Sequence, residues 1–202
     1  MKGCLINFIS VTKSANFGDT ISAGAGNDTL LIGKAGDLTK DDTIDGGAGT
    51  DTLQLVSGTS STITDAQFTG VTNVENITST ANEGFVKLTL GTQAAEAGFV
   101  TMTLADIDTA DQVVLSADFT NDFTITLDSD ASTANTVTAT NYTKNLTIKV
   151  TDTDFNDTTN EPILTGGTGT DTIEVTTTGT AVEIIPDGVT LFETIKLLDD
   201  GD

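Results

Sequence analysis

The chain has 202 residues, of which 30 are Asp or Glu and 8 are Lys, and its net charge at pH 7 is -22. Nucleic acids and anionic membranes are therefore excluded as partners, because both are bound by basic surfaces. Arg and His are absent and Cys4 is the only cysteine. Because these residues are absent or single, the sequence excludes catalytic triads that need His or Cys together with a His base. It also excludes phosphate sites built on arginine.

Residues 1–11 are mostly apolar, but this run is too short, and is interrupted too early by Asn7, for a cleavable signal peptide. We expect a terminal strand, a cap, or an arm that pairs with a neighbouring subunit. No other run approaches the length of a membrane span.

Three glycine-rich stretches follow along the chain. Residues 23–30 read AGAGNDTL, residues 46–53 read GGAGTDTL, and residues 166–173 read GGTGTDTI. Each combines glycines, which allow positive φ and close backbone approach, with an aspartate and a short alternating strand. Carboxylate and carbonyl oxygens are the ligands that Ca²⁺ prefers, so the pattern predicts calcium-binding turns.

These stretches resemble the repeats-in-toxin (RTX) nonapeptide, Gly-Gly-x-Gly-x-Asp-x-aliphatic-x, whose fold is a parallel β-roll with Ca²⁺ between stacked turns. The resemblance implies several Ca²⁺ ions, held by glycine carbonyls and by aspartate carboxylates. The implied glycines are Gly24, Gly26, Gly46, Gly47, Gly49, Gly166, Gly167 and Gly169. The implied aspartates are Asp28, Asp51 and Asp171, with Asp19, Asp37, Asp42 and Asp157 on adjacent turns.

Two departures from the motif matter. Ala23 stands where the first turn should begin with Gly, and residues 32–37 are a degenerate copy. The third motif has no nonapeptide directly before it, so a complete site there depends on Asp157 or Glu161.

A regular 23-residue step runs through much of the chain. It separates Asp28 from Asp51, and it separates the starts of three alternating runs, residues 100–104, 123–127 and 146–150. The same step pairs Val114 with Val137 and Phe119 with Tyr142. A fixed step of this length predicts an all-β, right-handed parallel β-solenoid with rungs of about 23 residues and little helix.

A longer duplication overlays this step. Residues 37–55 align with residues 157–175, and residues 70–77 align with residues 188–195 through a shared Val-Thr-x-x-Glu-x-Ile pattern. The chain is accordingly divided into four segments. These are an arm or cap at 1–18, RTX-type rungs at 19–80, Thr-rich rungs at 81–156, and a second RTX-type rung with a terminal strand at 157–202.

Each of the three alternating runs is followed by an Asp-x-Asp sequence. Stacked on successive rungs, these aspartates predict a carboxylate ladder with extra Ca²⁺ sites; the alternative is that they are ordinary turn residues. The residues are Asp106, Asp108, Asp128, Asp130, Asp152 and Asp154.

The function predicted is that of a secreted, calcium-dependent structural protein, a surface-layer or extracellular filament subunit or a module of one. Its expected partner is a second copy, joined head to tail, with a cell-surface polysaccharide as a further candidate. The resemblance implies export by a type I system. Alternatives are a monomeric adhesin or secretion module, an ice-binding solenoid built on Thr columns, and a polysaccharide-cleaving enzyme that uses paired carboxylates; no enzymatic activity is expected.

Overall fold

The chain winds into a β-solenoid in which all paired strands are parallel. A computed structural model describes residues 9–11, 18–33, 35–55, 61–79, 86–104, 110–127, 134–155, 161–177 and 187–199. Strands from all four predicted segments contribute to one sheet, whereas the division into segments remains a prediction. Residues 1–8, within the predicted N-terminal arm, lie outside the described residues.

The strands form three sheets. The nine-stranded sheet contains β1 (Ile9–Val11), β3 (Thr29–Ile32), β5 (Thr52–Leu55), β8 (Asn76–Ser79), β10 (Thr101–Leu104), β12 (Phe123–Leu127), β14 (Leu146–Thr151), β16 (Thr172–Thr177) and β18 (Thr194–Asp199). The six-stranded sheet contains β6 (Ser61–Ile63), β9 (Val86–Leu90), β11 (Gln112–Leu115), β13 (Thr136–Thr138), β15 (Ile163–Thr165) and β17 (Val189–Thr190). The three-stranded sheet contains β2 (Thr20–Ser22), β4 (Thr43–Asp45) and β7 (Val71–Thr72).

The 23-residue step predicted from the sequence matches the pairing of neighbouring strands in the middle of the nine-stranded sheet. Thr101 pairs with Thr124, and Thr124 pairs with Thr147, so the predicted step occurs twice in succession. Elsewhere in this sheet the step varies, and it is longer between Asn76 and its partner Thr101. The prediction of an all-β parallel solenoid is confirmed.

One predicted pairing is wrong by a single position. Val113, not Val114, pairs with Val137, and Val114 pairs with Thr138. Because successive side chains of a strand point to opposite faces, this slip exchanges inside and outside. Val113 is buried and Val114 is half-buried on the outer face.

Aliphatic columns fill the interior beneath the nine-stranded sheet. One column continues through consecutive strands as Leu30, Leu53, Ile77, Met102, Ile125, Ile148 and Ile173, each at most 1% exposed. Aromatic rings fill the rung corners. The predicted pair Phe119 and Tyr142 is present as stacked rings with centroids 5.9 Å apart, and the buried Tyr142 hydroxyl donates to the carbonyl oxygen of Asn121.

Helix is confined to short connections. The described residues contain α1 (Thr92–Ala97), α2 (Asp152–Phe155) and two 3-10 turns, Ala35–Asp37 and Asp65–Phe68. The carboxylate of Asp65 accepts the N–H groups of Gly91, Gln93 and Ala94 at 2.8 to 3.1 Å and thereby caps α1 from the previous rung. Within this part of the chain no helix combines the length and the apolar character of a membrane span.

Candidate metal centre

Two glycine turns on successive rungs lie directly on one another. A Cβ added to Gly47 would lie 2.0 Å from the carbonyl oxygen of Gly24, and one added to Gly49 would lie 2.0 Å from that of Gly26. All four residues have positive φ, between 97° and 148°. Both turns therefore require glycine, for the backbone angle and for the close approach.

Hydrogen bonds join the two turns. The N–H of Gly26 donates to the carbonyl oxygen of Ala48, and the N–H of Ala48 donates to that of Gly24, both at 2.8 Å. The side-chain oxygen of Asn27 accepts the N–H of Thr50 at 3.0 Å. The turns are thus held at the spacing of neighbouring strands.

Two buried carboxylates meet beside these turns. Asp28 is 2% exposed and Asp51 is 0% exposed, and the N–H of Asp28 donates to Oδ1 of Asp51 at 2.7 Å. Both carboxylate oxygens of Asp28 and Oδ2 of Asp51 are buried and have no hydrogen-bond partner among the described residues. Buried carboxylate oxygens are normally hydrogen-bonded, paired with a cation or bound to a metal, so this arrangement is incomplete as a protein-only structure.

The pKa of Asp51 also indicates that this carboxylate lacks a compensating positive charge. Burial raises the pKa of Asp51, and the negative charges of Glu75, Asp28 and Asp45 raise it further, against the lowering effect of the Asp28 N–H. The fold therefore penalises the charged form of this carboxylate when no cation is bound.

The raised pKa predicts how the stability of the calcium-free protein depends on pH. Asp51 is protonated more readily in the folded protein than in the unfolded chain, whose carboxyl pKa is near 3.8. Folded-state stability should therefore fall as the pH rises from 3.8 through the raised pKa of Asp51, and it should return on acidification. We expect thermal unfolding of the calcium-free protein, followed by circular dichroism, to occur at a higher temperature near pH 3.8 than at about pH 7.

Asp51→Asn provides the control for this measurement. The substitution removes the titrating group but keeps the shape of the side chain, so the difference in melting temperature between the two pH values should shrink. An unchanged difference would mean that other carboxylates, rather than Asp51, cause the pH dependence.

The donor set fits calcium. In the described part of the chain no three acidic, Cys or His side chains are placed to hold a metal together. An ion beside Asp28 and Asp51 would therefore need further oxygen ligands, for which the RTX resemblance implies backbone carbonyls of the two glycine turns. Such a set consists of oxygen alone, with no imidazole or thiolate, which favours Ca²⁺ over transition metals.

The other predicted aspartates of this region lie at different corners of the rung. Asp42 accepts the N–H of Asp19 at 2.8 Å with Oδ1 and the N–H of Thr39 at 2.6 Å with Oδ2. The structure thus brings Asp19 and Asp42 together, while Asp37 is 5% exposed at the end of the first 3-10 turn. Asp42 already has a structural role in holding its turn.

In the third predicted turn, backbone N–H groups satisfy both carboxylate oxygens of the aspartate. Asp171 is 0% exposed, and it accepts the N–H of Leu146 at 2.9 Å with Oδ1 and the N–H of Gly167 at 2.6 Å with Oδ2. Both oxygens of this buried carboxylate therefore have partners from the backbone.

Two glutamates that the sequence analysis did not assign to a site belong to these corners. The N–H of Asp51 donates to Oε2 of Glu75 at 2.7 Å, and the N–H of Asp171 donates to Oε2 of Glu193 at 2.7 Å. Both glutamates are the Glu of the duplicated Val-Thr-x-x-Glu-x-Ile pattern, and this duplication was the sequence signal that could have identified them. Each continues the acidic column by one rung beyond its aspartate.

Of the six aspartates of the proposed ladder, Asp106, Asp108, Asp128 and Asp130 lie outside the described residues, as does Asp157. The side chain of Asp154 is not described either. Asp152 is buried in the first residue of α2. The carboxylate ladder and its extra Ca²⁺ sites therefore stay a prediction.

The Thr columns on the outer face are only partly regular. One column runs from Thr29 to Thr194 along the nine-stranded sheet and is interrupted by Asn76. In the adjacent column, Lys149 and Lys196 flank Glu174 at 3.9 and 3.2 Å. A charged ladder therefore replaces threonine near the C-terminal end, and ice binding remains an untested alternative.

Comparison with known proteins identifies the glycine-rich region. The family model described as RTX calcium-binding nonapeptide repeat (4 copies) matches residues 15–37 and 38–58, which include Asp19, Asp28 and Asp51. No curated protein and no solved structure matches the chain. RTX repeats bind calcium, are typical of secreted proteins, and are usually structural or toxin-associated rather than catalytic, so the chain contains a calcium-binding module of an extracellular type.

Proposed function

Because residues 15–58 carry RTX repeats, we propose that this protein is a secreted structural protein that folds on binding Ca²⁺ and assembles end to end with copies of itself. A surface layer or an extracellular filament is the setting that we propose. The observation that carries the calcium requirement is the buried pair Asp28 and Asp51, in which three of the four carboxylate oxygens have no hydrogen-bond partner among the described residues.

The coupling between Ca²⁺ binding and folding explains why a buried carboxylate pair is compatible with an exported protein. Where Ca²⁺ is scarce, repulsion between buried carboxylates opposes folding of their rungs. Where Ca²⁺ is abundant, its binding free energy adds to the free energy of folding. The net charge of -22 acts in the same direction, since the compact chain repels itself.

Calcium titration tests this part of the proposal. We expect Ca²⁺ to raise the melting temperature, with the shift increasing with the logarithm of its concentration above the dissociation constant, and Mg²⁺ at equal concentration to do less. Asp51→Asn should reduce the calcium response. An identical melting temperature with and without Ca²⁺ would contradict the proposed function.

The end-to-end contact is supported by the open edges of the nine-stranded sheet. Within the described residues, β1 pairs only with β3, and β18 pairs only with β16. Leu197 is in register with the fully buried Val175, yet it is 59% exposed because no described strand covers it. At the opposite edge, Ile9 of β1 is in register with Leu30 of β3.

Parallel strands give these two edges the same direction. The β18 edge of one copy and the β1 edge of the next can therefore continue one parallel sheet without reversing either molecule. Such a contact joins two different surfaces and so generates a filament or an array rather than a closed dimer.

Leu197→Lys tests the end-to-end contact. A charge at the open edge should prevent assembly, because it would have to be buried beside the next copy, while the fold of the single chain should persist. Negative-stain microscopy and light scattering in Ca²⁺ measure assembly, and circular dichroism measures the fold.

Val100→Lys is the matched control for this test. Val100 is 41% exposed but lies in the middle of the solenoid, and its replacement changes the net charge by the same amount. This variant should assemble like the unmodified protein. Monomers of the unmodified protein in Ca²⁺ would instead support the alternative of a monomeric adhesin or secretion module.

A further inference from the structure

The solenoid contains the same three-rung corner twice. We call Asp28, Asp51 and Glu75 the N-terminal clamp, and Leu146, Asp171 and Glu193 the C-terminal clamp. In the N-terminal clamp the N–H of Asp28 donates to Asp51 and that of Asp51 donates to Glu75, both at 2.7 Å. The C-terminal clamp repeats these two hydrogen bonds: the N–H of Leu146 donates to Asp171 at 2.9 Å, and the N–H of Asp171 donates to Glu193 at 2.7 Å.

The turns beside the clamps correspond as well. Thr50 donates its N–H to the side chain of Asn27 at 3.0 Å, and Thr170 donates its N–H to the side chain of Asn145 at 3.0 Å. The two corners therefore share these three hydrogen bonds, and the remaining differences between them can be compared position by position.

The first difference is the neighbouring turn. The positions of Gly24 and Gly26, which approach the glycines of the next rung, are taken at the C-terminal clamp by Tyr142 and Lys144. The position of Asp28 is taken by Leu146. The C-terminal clamp therefore has one carboxylate fewer beside its central aspartate and lacks the pair of stacked glycine turns.

The second difference is how the central aspartate is satisfied. Oδ2 of Asp51 is buried without a hydrogen-bond partner among the described residues, whereas Oδ2 of Asp171 accepts the N–H of Gly167 at 2.6 Å. Gly47, which corresponds to Gly167, has a φ of 97°, while the φ of Gly167 lies outside the left-handed region. A change in backbone conformation at this glycine thus accompanies the change of partner.

We infer that, of the two clamps, only the N-terminal one requires Ca²⁺, and that the C-terminal clamp is an ion-free version of the same corner in which the Gly167 N–H takes the place of the cation. Calcium then orders the described rungs within residues 18–55, while the described rungs within residues 86–177 are folded without it. The rungs between the clamps agree with this division, since Val100 and Phe123 occupy the corresponding corner positions with apolar side chains. The inference rests on the proposed calcium binding and assigns it to one end of the solenoid.

Hydrogen exchange of the full chain, followed by mass spectrometry in excess Ca²⁺ and in EGTA, tests the division directly. We expect peptides from residues 18–55 to lose protection in EGTA and peptides from residues 134–177 to keep it. Equal loss of protection in both regions would overturn the inference while leaving calcium-dependent folding intact. Unchanged protection in both regions would overturn the proposed function as well, because no region would then depend on calcium.

Asp51→Asn and Asp171→Asn form a matched pair for the same measurement. Asp51→Asn should abolish the calcium-dependent gain of protection in residues 18–55. Asp171→Asn should lower the melting temperature to the same extent with and without Ca²⁺, because it disrupts a backbone-satisfied carboxylate, and it should leave the calcium response of residues 18–55 in place. A loss of bound Ca²⁺ in Asp171→Asn, measured by equilibrium dialysis of folded protein, would contradict the inference.

Discussion

Gly47→Val is expected to destabilise the folded protein by about 3 kcal/mol or more. Valine strongly disfavours the φ of 97° found at this position, and its Cβ would be placed 2.0 Å from the carbonyl oxygen of Gly24. Because that neighbour is backbone, relief requires the two stacked turns beside Asp28 and Asp51 to separate. The free energy of unfolding from urea denaturation, with and without Ca²⁺, measures the effect.

Gly36→Ala is the control for this substitution. A Cβ at Gly36 would have no atom within 4 Å, and the residue lies in a 3-10 turn outside the left-handed region. We expect a change within about 0.5 kcal/mol or a slight stabilisation, since alanine restricts the unfolded chain more than glycine does. If Gly47→Val and Gly36→Ala behaved alike, the stacking of the two glycine turns would be wrong.

Ile125→Ala is expected to cost about 2 to 5 kcal/mol of unfolding free energy. Ile125 is 0% exposed and lies between Met102 and Ile148 in the aliphatic column, so its truncation leaves a cavity shared by three rungs. In a solenoid each rung contacts only its neighbours, and loss at the centre uncouples the two ends. Urea unfolding in Ca²⁺ should therefore become less cooperative, as well as shifting to lower concentrations.

Thr124→Ala tests the same strand from its other face. Thr124 precedes Ile125 and lies on the outer face in register with Thr101 and Thr147. Its truncation should change the free energy of unfolding by less than about 1 kcal/mol. A larger loss for Thr124→Ala than for Ile125→Ala would mean that the assignment of inner and outer faces is reversed.

Periodicity predicted the fold well because a solenoid repeats one local pattern. The step that relates Thr101 to Thr124 and Thr124 to Thr147 in the sequence is the register that the structure has. The pairing of Val114 with Val137 failed because the step is longer there, from Val113 to Val137, and short corner insertions leave no mark in a strand's own pattern. Similarly, Asp152, which follows β14, is buried as the first residue of α2, a short helix that the alternating pattern of the strand did not predict.

The sequence by itself determined the parallel solenoid, the glycine turns and the aspartates beside them, because alternation, positive-φ glycines and calcium-type ligands are properties of short segments. Only the tertiary structure decided which turn lies on which. It placed Asp28 against Asp51 but Leu146 against Asp171. It also showed that Gly167 satisfies Oδ2 of Asp171, whereas Oδ2 of Asp51 has no hydrogen-bond partner in the described part of the chain. The reason is physical: the need of a buried carboxylate for a cation depends on the partners around it. Some of these lie a full rung away along the chain, and the Gly167 N–H depends on a backbone conformation that the shared Gly-Gly sequence does not reveal.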